Sequence, residues 1–121
     1  MKETEFIISP KELSLLAIKR ILSDKLSLKL SQESILRIEK NRNYLDQKLK
    51  NNDEVFYGIN TGFGSLCNEV ISPSELKELQ INLVKSHACG TGDEIDSVIV
   101  KIMLLIKINV LSLGYSGVHL K

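Results

Sequence analysis

Residues 98–113 constrain this chain more than any other stretch. Val98-Ile99-Val100, Ile102 to Ile106, Ile108 and Val110-Leu111 put apolar side chains nearly all round a helix. Such a helix expects partners on several sides, not a single buried stripe. Lys101, Lys107 and Asn109 interrupt the run, and a membrane span needs about 20 mostly uncharged residues. The stretch therefore reads as a buried helix that begins near Asp93–Asp96 and stops at Gly114.

The other periodicities point the same way. Ser9-Pro10-Lys11-Glu12 is a helix-start pattern, with Ser9 as cap, Pro10 at the first helical position and Glu12 closing a capping box. Leu13, Leu16, Ala17 and Ile21 extend it to about Ser23. Lys25 to Leu30 alternates with the strand period and predicts a short strand, an edge or a small pairing with Val55-Phe56. Ser31 caps the next helix, whose apolar face carries Ile35, Ile38, Leu45 and Leu49 and which Asn51-Asn52-Asp53 ends. Ser72-Pro73-Ser74-Glu75 repeats the start pattern. Leu76, Leu79, Leu83 and His87 then fall on one helix face, with Gly90 beyond it. The fold class expected is mainly α with one or two short β-strands, and the chain reads as a single domain over 1–121.

Bulk composition excludes several functions. The 121 residues carry a formal net charge of +1 with both signs interspersed, which offers no electrostatic grip on nucleic acid or anionic lipid. The sequence has no tryptophan and few aromatics, so base-stacking platforms are not expected. The N-terminus is charged with no long apolar stretch behind it, unlike a secretory signal. Cys67 and Cys89 are too few and too far apart for a disulfide framework or a Cys-x-x-Cys site. His87 and Cys89 would need two more ligands to hold a metal, so no metal site is expected, and reduced cysteines suit a cytoplasmic protein.

The chemistry concentrates in two short segments. Tyr57-Gly58-Ile59-Asn60-Thr61-Gly62-Phe63-Gly64 sets an ionisable phenol at the head of a loop with three glycines, Gly58, Gly62 and Gly64, which permit sharp bends and motion. It lacks the Gly-Lys-Ser/Thr of a phosphate loop and the glycine spacing of a dinucleotide fingerprint. The second segment, Ser86-His87-Ala88-Cys89-Gly90-Thr91-Gly92, follows a helix directly. Taken by residue type alone, Tyr57 could simply pack its ring beside Phe56 and Phe63, and His87 could be a satisfied core residue. Asn60, Thr61 and Ser65 read as turn formers whose side chains bond local backbone.

Together these segments resemble the N-terminal part of the aromatic amino acid ammonia-lyases, the histidine-specific members most of all. The likeness continues through Ser72-Pro73, Leu79-Gln80-Ile81-Asn82-Leu83-Val84 and Gly114-Tyr115-Ser116-Gly117-Val118. It is good over residues 55 to 121 and only a likeness of pattern over the first fifty. It implies the N-terminal helical domain of the ammonia-lyase fold, in a homotetramer that deaminates L-histidine to urocanate and ammonia in histidine degradation. Tyr57 would then be the catalytic base that removes a β-proton. A free phenol has a pKa of about 10, so such a base needs a supporting neighbour or field. Ser86 and His87 would occupy the two positions that read the substrate ring. A neutral imidazole carries one donor and one acceptor and could serve a substrate imidazole or a tyrosine hydroxyl.

The family's electrophile, methylidene-imidazolone, forms from an Ala-Ser-Gly tripeptide, and this sequence contains none. The resemblance therefore implies an N-terminal fragment that is inactive by itself. Two alternatives stand beside this reading: a tyrosine or phenylalanine ammonia-lyase or aminomutase of the same family, and a non-catalytic helical interaction module.

Overall fold

The computed structural model describes residues 4–51 and 55–120. Its elements in chain order are β1 (Glu5–Ile8), α1 (Leu15–Ser23), β2 (Ser27–Leu30), α2 (Gln32–Asn51), α3 (Leu76–His87) and α4 (Ser97–Ser112), with a 3-10 turn at Gly64–Leu66. The chain is mainly helical with one two-stranded sheet, as the sequence pattern leads one to expect. It divides into two compact units. One comprises residues 1–45 and 94–121, the other residues 46–93.

In the first unit β1 and β2 pair in parallel, Glu5 opposite Ser27 and Ile8 opposite Leu30. A parallel pair requires a crossover, and α1 supplies it. This corrects the expected pairing of residues 25–30 with Val55-Phe56. The partner is an N-terminal strand that the alternation of β2 alone does not reveal. The first helix also starts later than its Ser-Pro signal suggests. Ser9 and Pro10 lie in a bend, and Ser14 is the cap, its hydroxyl accepting from the Ala17 N–H at 3.2 Å. Two serines compete for one role, and the second lies directly before Leu15, where the helix starts.

The far end of α1 is closed by an unusual residue. Lys25 has φ 52°, the left-handed region, where an L side chain costs roughly 1–2 kcal/mol. The turn is held because the Leu26 N–H reaches back to the Ile21 carbonyl at 3.1 Å. Both of those side chains then enter the core, completing the hydrophobic contact that accompanies this type of helix end.

That core joins Ile8, Ile21, Leu26 and Leu105, flanked by Phe6, Leu13, Ile18, Leu28 and Leu30. α2 begins as expected, with the Ser31 hydroxyl accepting from the Ser34 N–H at 3.1 Å. Ser34 is fully buried, and its own hydroxyl donates to the Ile8 carbonyl at 3.4 Å. α4 is capped by Asp96, whose carboxylate accepts from the Val98 N–H at 2.7 Å. Gly114 ends this segment with φ 78°. A Cβ there would lie 2.7–2.9 Å from Arg37 Cβ, C and O, so the close approach of the two segments demands glycine. Asn109 and Arg42 add polar ties, donating to the Lys11 carbonyl at 3.4 Å and the Gly117 carbonyl at 2.9 Å.

α4 does not bury itself evenly. Leu105 is 3% exposed, whereas Leu104 is 58% exposed and Val98, Ile99, Met103 and Ile106 are also open. The expectation of partners on several sides is met on one side within this chain. Truncating the two adjacent leucines separates the faces. Leu105→Ala should lose about 2–5 kcal/mol of stability as a filled core site is emptied. Leu104→Ala should cost under about 1 kcal/mol. Urea unfolding of the two variants checks the contrast.

Candidate functional site

The site lies in the second unit and is built on a loop and a helix. The loop, residues 55–71, is folded by its own side chains. Asn60 Oδ1 accepts from the Phe56 N–H at 2.7 Å. Thr61, 0% exposed, accepts from the Gly58 N–H at 3.2 Å and donates to the Gly62 carbonyl at 3.1 Å. The Ile71 N–H closes the loop onto the Asn60 carbonyl at 2.8 Å, beside an antiparallel bridge between Thr61 and Val70. Asn60 and Thr61 are thus the backbone-bonding turn formers their types suggest. Gly58 has φ 68°, and a Cβ on it would sit 2.5 Å from Phe63 Cε1, so only glycine lets that ring fold back.

α3 supplies the opposite wall. Its start differs from expectation, because Ser72 and Pro73 form a turn and the helix opens only at Leu76 after an Asp/Ser-free cap at Glu75. Ser72 instead accepts from the Glu75 N–H through its carbonyl at 3.0 Å and donates its hydroxyl to the Glu75 carboxylate at 2.6 Å. Gln80 clamps helix to loop. Its amide nitrogen donates to both the Gly58 and the Ile59 carbonyls, each at 3.0 Å.

The expected site residues fall into this frame as follows. Tyr57 is 62% exposed. Its ring lies 5.6 Å from that of Phe63 at 49°, and its hydroxyl oxygen meets the Gly64 N–H at 3.5 Å. Phe63 in turn meets the His87 ring edge-on, 5.3 Å between centroids at 81°. Tyr57 and His87 are linked through Phe63 rather than by a contact of their own. An open groove of about 470 Å³ is lined by Phe63, Gln80, Leu83, Val84, His87 and Ala88. Its walls are largely apolar, with one imidazole and one amide as polar handles, a combination suited to a flat ring carrying a polar atom. Ser86 does not line the groove. Its hydroxyl donates to the Leu83 carbonyl at 2.9 Å and lies 3.0 Å from His87 Nδ1. Gly62 packs closely on Leu66, and Gly64 stands in open space.

Gln80 escaped the sequence reading, and Phe63 was expected only as a ring beside Tyr57, a contact the structure has. Gln80, Leu83 and His87 stand at i, i+3 and i+7, so the helix register could have placed Gln80 beside the histidine. Nothing in the sequence shows that Phe63 folds back across Gly58. Cys67 and Cys89 are free thiols. Among the described residues no cluster of three or more His, Cys, Asp or Glu could hold a metal, and no helix is long and apolar enough to cross a membrane.

This loop and this helix lie within the stretch that matches the aromatic amino acid lyases. The profile of that family, "Aromatic amino acid lyase", matches residues 13–121, and the chain belongs to it. It is 50% identical over 117 residues to histidine ammonia-lyase of Legionella pneumophila, which covers 97% of this chain but 23% of that protein. The fold matches the crystal structure of histidine ammonia-lyase from Trypanosoma cruzi with TM-score 0.78 and 33% identity, over 94% of this chain and 22% of the other. Phenylalanine aminomutase of Pantoea agglomerans gives TM-score 0.82 and 32% identity, over 91% of this chain and 21% of the other. The chain thus spans under a quarter of the length of the relatives it matches.

The clamp makes a measurable prediction. Gln80→Leu removes both donors while keeping the bulk, and should cost about 1–2 kcal/mol, since each such bond contributes roughly 0.5–1.5 kcal/mol. Amide exchange around Gly58 to Gly62 should quicken before global unfolding. Unchanged exchange there would show that Gln80 does not hold the loop.

Proposed function

We propose that this chain is the N-terminal part of a histidine ammonia-lyase, in which it supplies the proton-abstracting base and the ring-binding end of the substrate site. The observation that carries the reading is the sequence Tyr57–Phe63–His87 as a continuous ring-to-ring chain, with centroid distances of 5.6 and 5.3 Å. Identity of 50% to a histidine ammonia-lyase supports the same substrate.

In this reading the groove takes the imidazole of L-histidine against Leu83 and Val84, with His87 as its polar contact. Tyr57 Oη takes the β-proton and the amino group departs, giving urocanate and ammonia. Its exposure leaves the oxygen accessible to a substrate. The Gly64 N–H supplies one backbone donor at the phenol oxygen, and the positive φ of Gly58 sets the turn that carries the ring. Ser86 belongs to the ring-binding end, and the three glycines allow the loop to close over a bound substrate.

The family's electrophile, methylidene-imidazolone, would activate the substrate for loss of its amino group. The sequence contains no Ala-Ser-Gly, so these residues do not form it. We further propose the homotetramer and the cytoplasmic setting of the family, the latter in keeping with two free thiols. The likeness to a phenylalanine aminomutase at 32% identity favours a second reading with a different ring in the same groove.

Turnover tests this. The product of the complete reading frame should convert L-histidine to urocanate, followed by ultraviolet absorbance, while the 121-residue chain alone should not. Tyr57→Phe in the complete protein should lower kcat by roughly 10²–10⁴, the usual contribution of a positioned acid or base. Ammonia release from L-tyrosine or L-phenylalanine, with none from L-histidine, would move the assignment to the second reading. An unaltered kcat in Tyr57→Phe would remove Tyr57 from the chemistry.

A further inference from the structure

The last turn of α3 contains a closed inventory of protons. His87 Nδ1 lies 2.8 Å from the Leu83 carbonyl oxygen. A carbonyl oxygen only accepts, so Nδ1 must carry the hydrogen in that contact. Ser86 Oγ lies 2.9 Å from the same carbonyl and 3.0 Å from Nδ1. A hydroxyl has one hydrogen, and the Leu83 carbonyl takes it. The lone pairs of Ser86 Oγ then face Nδ1–H as a second acceptor. The carbonyl contact demands Nδ1–H, and the Ser86 contact is compatible with it.

We propose that His87 is held as its Nδ1–H tautomer by the Leu83 carbonyl and Ser86, so that its Nε2 reads a hydrogen-bond donor on the substrate ring. Ser86 is then a positioning residue that acts through His87 and does not itself meet the substrate. The inference rests on the reading of the groove as the substrate-ring site and narrows what that site accepts. A neutral His87 in this tautomer offers an acceptor and no donor at Nε2. The ligand class is a flat ring bearing an N–H or O–H. The N–H of a neutral imidazole satisfies it. A phenyl ring has no donor and offers Nε2 no partner. The edge contact with Phe63 fixes the ring plane from the side, and the carbonyl fixes which nitrogen is protonated.

The direct test is long-range proton–nitrogen correlation NMR of the 121-residue chain in alkaline buffer, so that the ring is observed neutral. His119→Gln assigns the signals, since the sequence has two histidines. The expected result is a protonated Nδ1 and a pyridine-type Nε2. A protonated Nε2, or an even mixture of tautomers, overturns the proposal. Ser86→Ala should raise the Nε2–H fraction and, in the complete enzyme, raise KM for L-histidine about five-fold, more than it changes kcat. Ser86→Thr, which keeps a hydroxyl able to reach back along the helix, should restore both. A Ser86→Ala chain with the tautomer unmoved but KM raised would make Ser86 a substrate contact and overturn its positioning role. The two readings fail separately. Histidine turnover with an Nε2–H ring sinks the tautomer and leaves the lyase standing. An Nδ1–H ring in a protein without lyase activity does the reverse.

Discussion

The Thr61 hydroxyl is the contact on which the site depends. Fully buried, it accepts from the Gly58 N–H and donates to the Gly62 carbonyl. It thereby spans the turn that carries Tyr57 on one side and Phe63 on the other. Asn60 performs the complementary task at Phe56. The loop leaves Val55, Tyr57, Phe63, Leu66 and Val70 largely exposed, so its shape must come from satisfied polar groups. Two short polar side chains at its centre replace the packing that a helix or strand would provide. Everything downstream follows: the return of Phe63 across Gly58, its edge contact with His87, and the groove between loop and helix.

The two units solve different problems. The first encloses a small aliphatic core with a parallel strand pair and a crossover helix, and it spends one costly backbone conformation at Lys25 to turn α1 into β2. The second has no residue of its helix α3 buried. It is held by local hydrogen bonds, by Gln80 and by ring contacts. Such a unit keeps its reactive side chains exposed because it has not been built around a core. α4 shows the opposite imbalance, more apolar surface than its own unit covers, with Leu105 inward and Leu104 outward on consecutive positions.

Much of this was legible in the sequence, and the reasons for the rest are physical. Element type followed from apolar spacing for the first three helices and from a long apolar run for α4. The ends were legible where a unique signal existed, as at Ser31, Asp96 and Gly114. They failed where signals were duplicated, as at Ser9 and Ser14, or where a serine–proline turn preceded the helix instead of starting it, as at Ser72. The strand partner of β2 was misassigned because alternation in one strand carries no information about its neighbour. Within the candidate site, Tyr57 and His87 were legible by chemistry and Asn60 and Thr61 by turn preference. Phe63 was legible only as a ring beside Tyr57 and Gln80 not at all, because their contacts to the other segment arise from a loop folding back onto a helix, which no local pattern encodes.

Placing the ring reader on the final turn of α3 ties recognition to two neighbouring codons. In the proposed reading His87 meets the ring, and Ser86 with the Leu83 carbonyl orients it. Replacing His87 alone would leave a hydroxyl and a carbonyl arranged for a ring that is no longer there. Replacing Ser86 alone would loosen a ring that is still needed. Drift of this scaffold toward a different aromatic side chain is therefore easiest when positions 86 and 87 change together, while the loop and its glycines stay as they are. On that proposal the same helix end could serve a succession of substrates while the loop that carries Tyr57 stays unchanged.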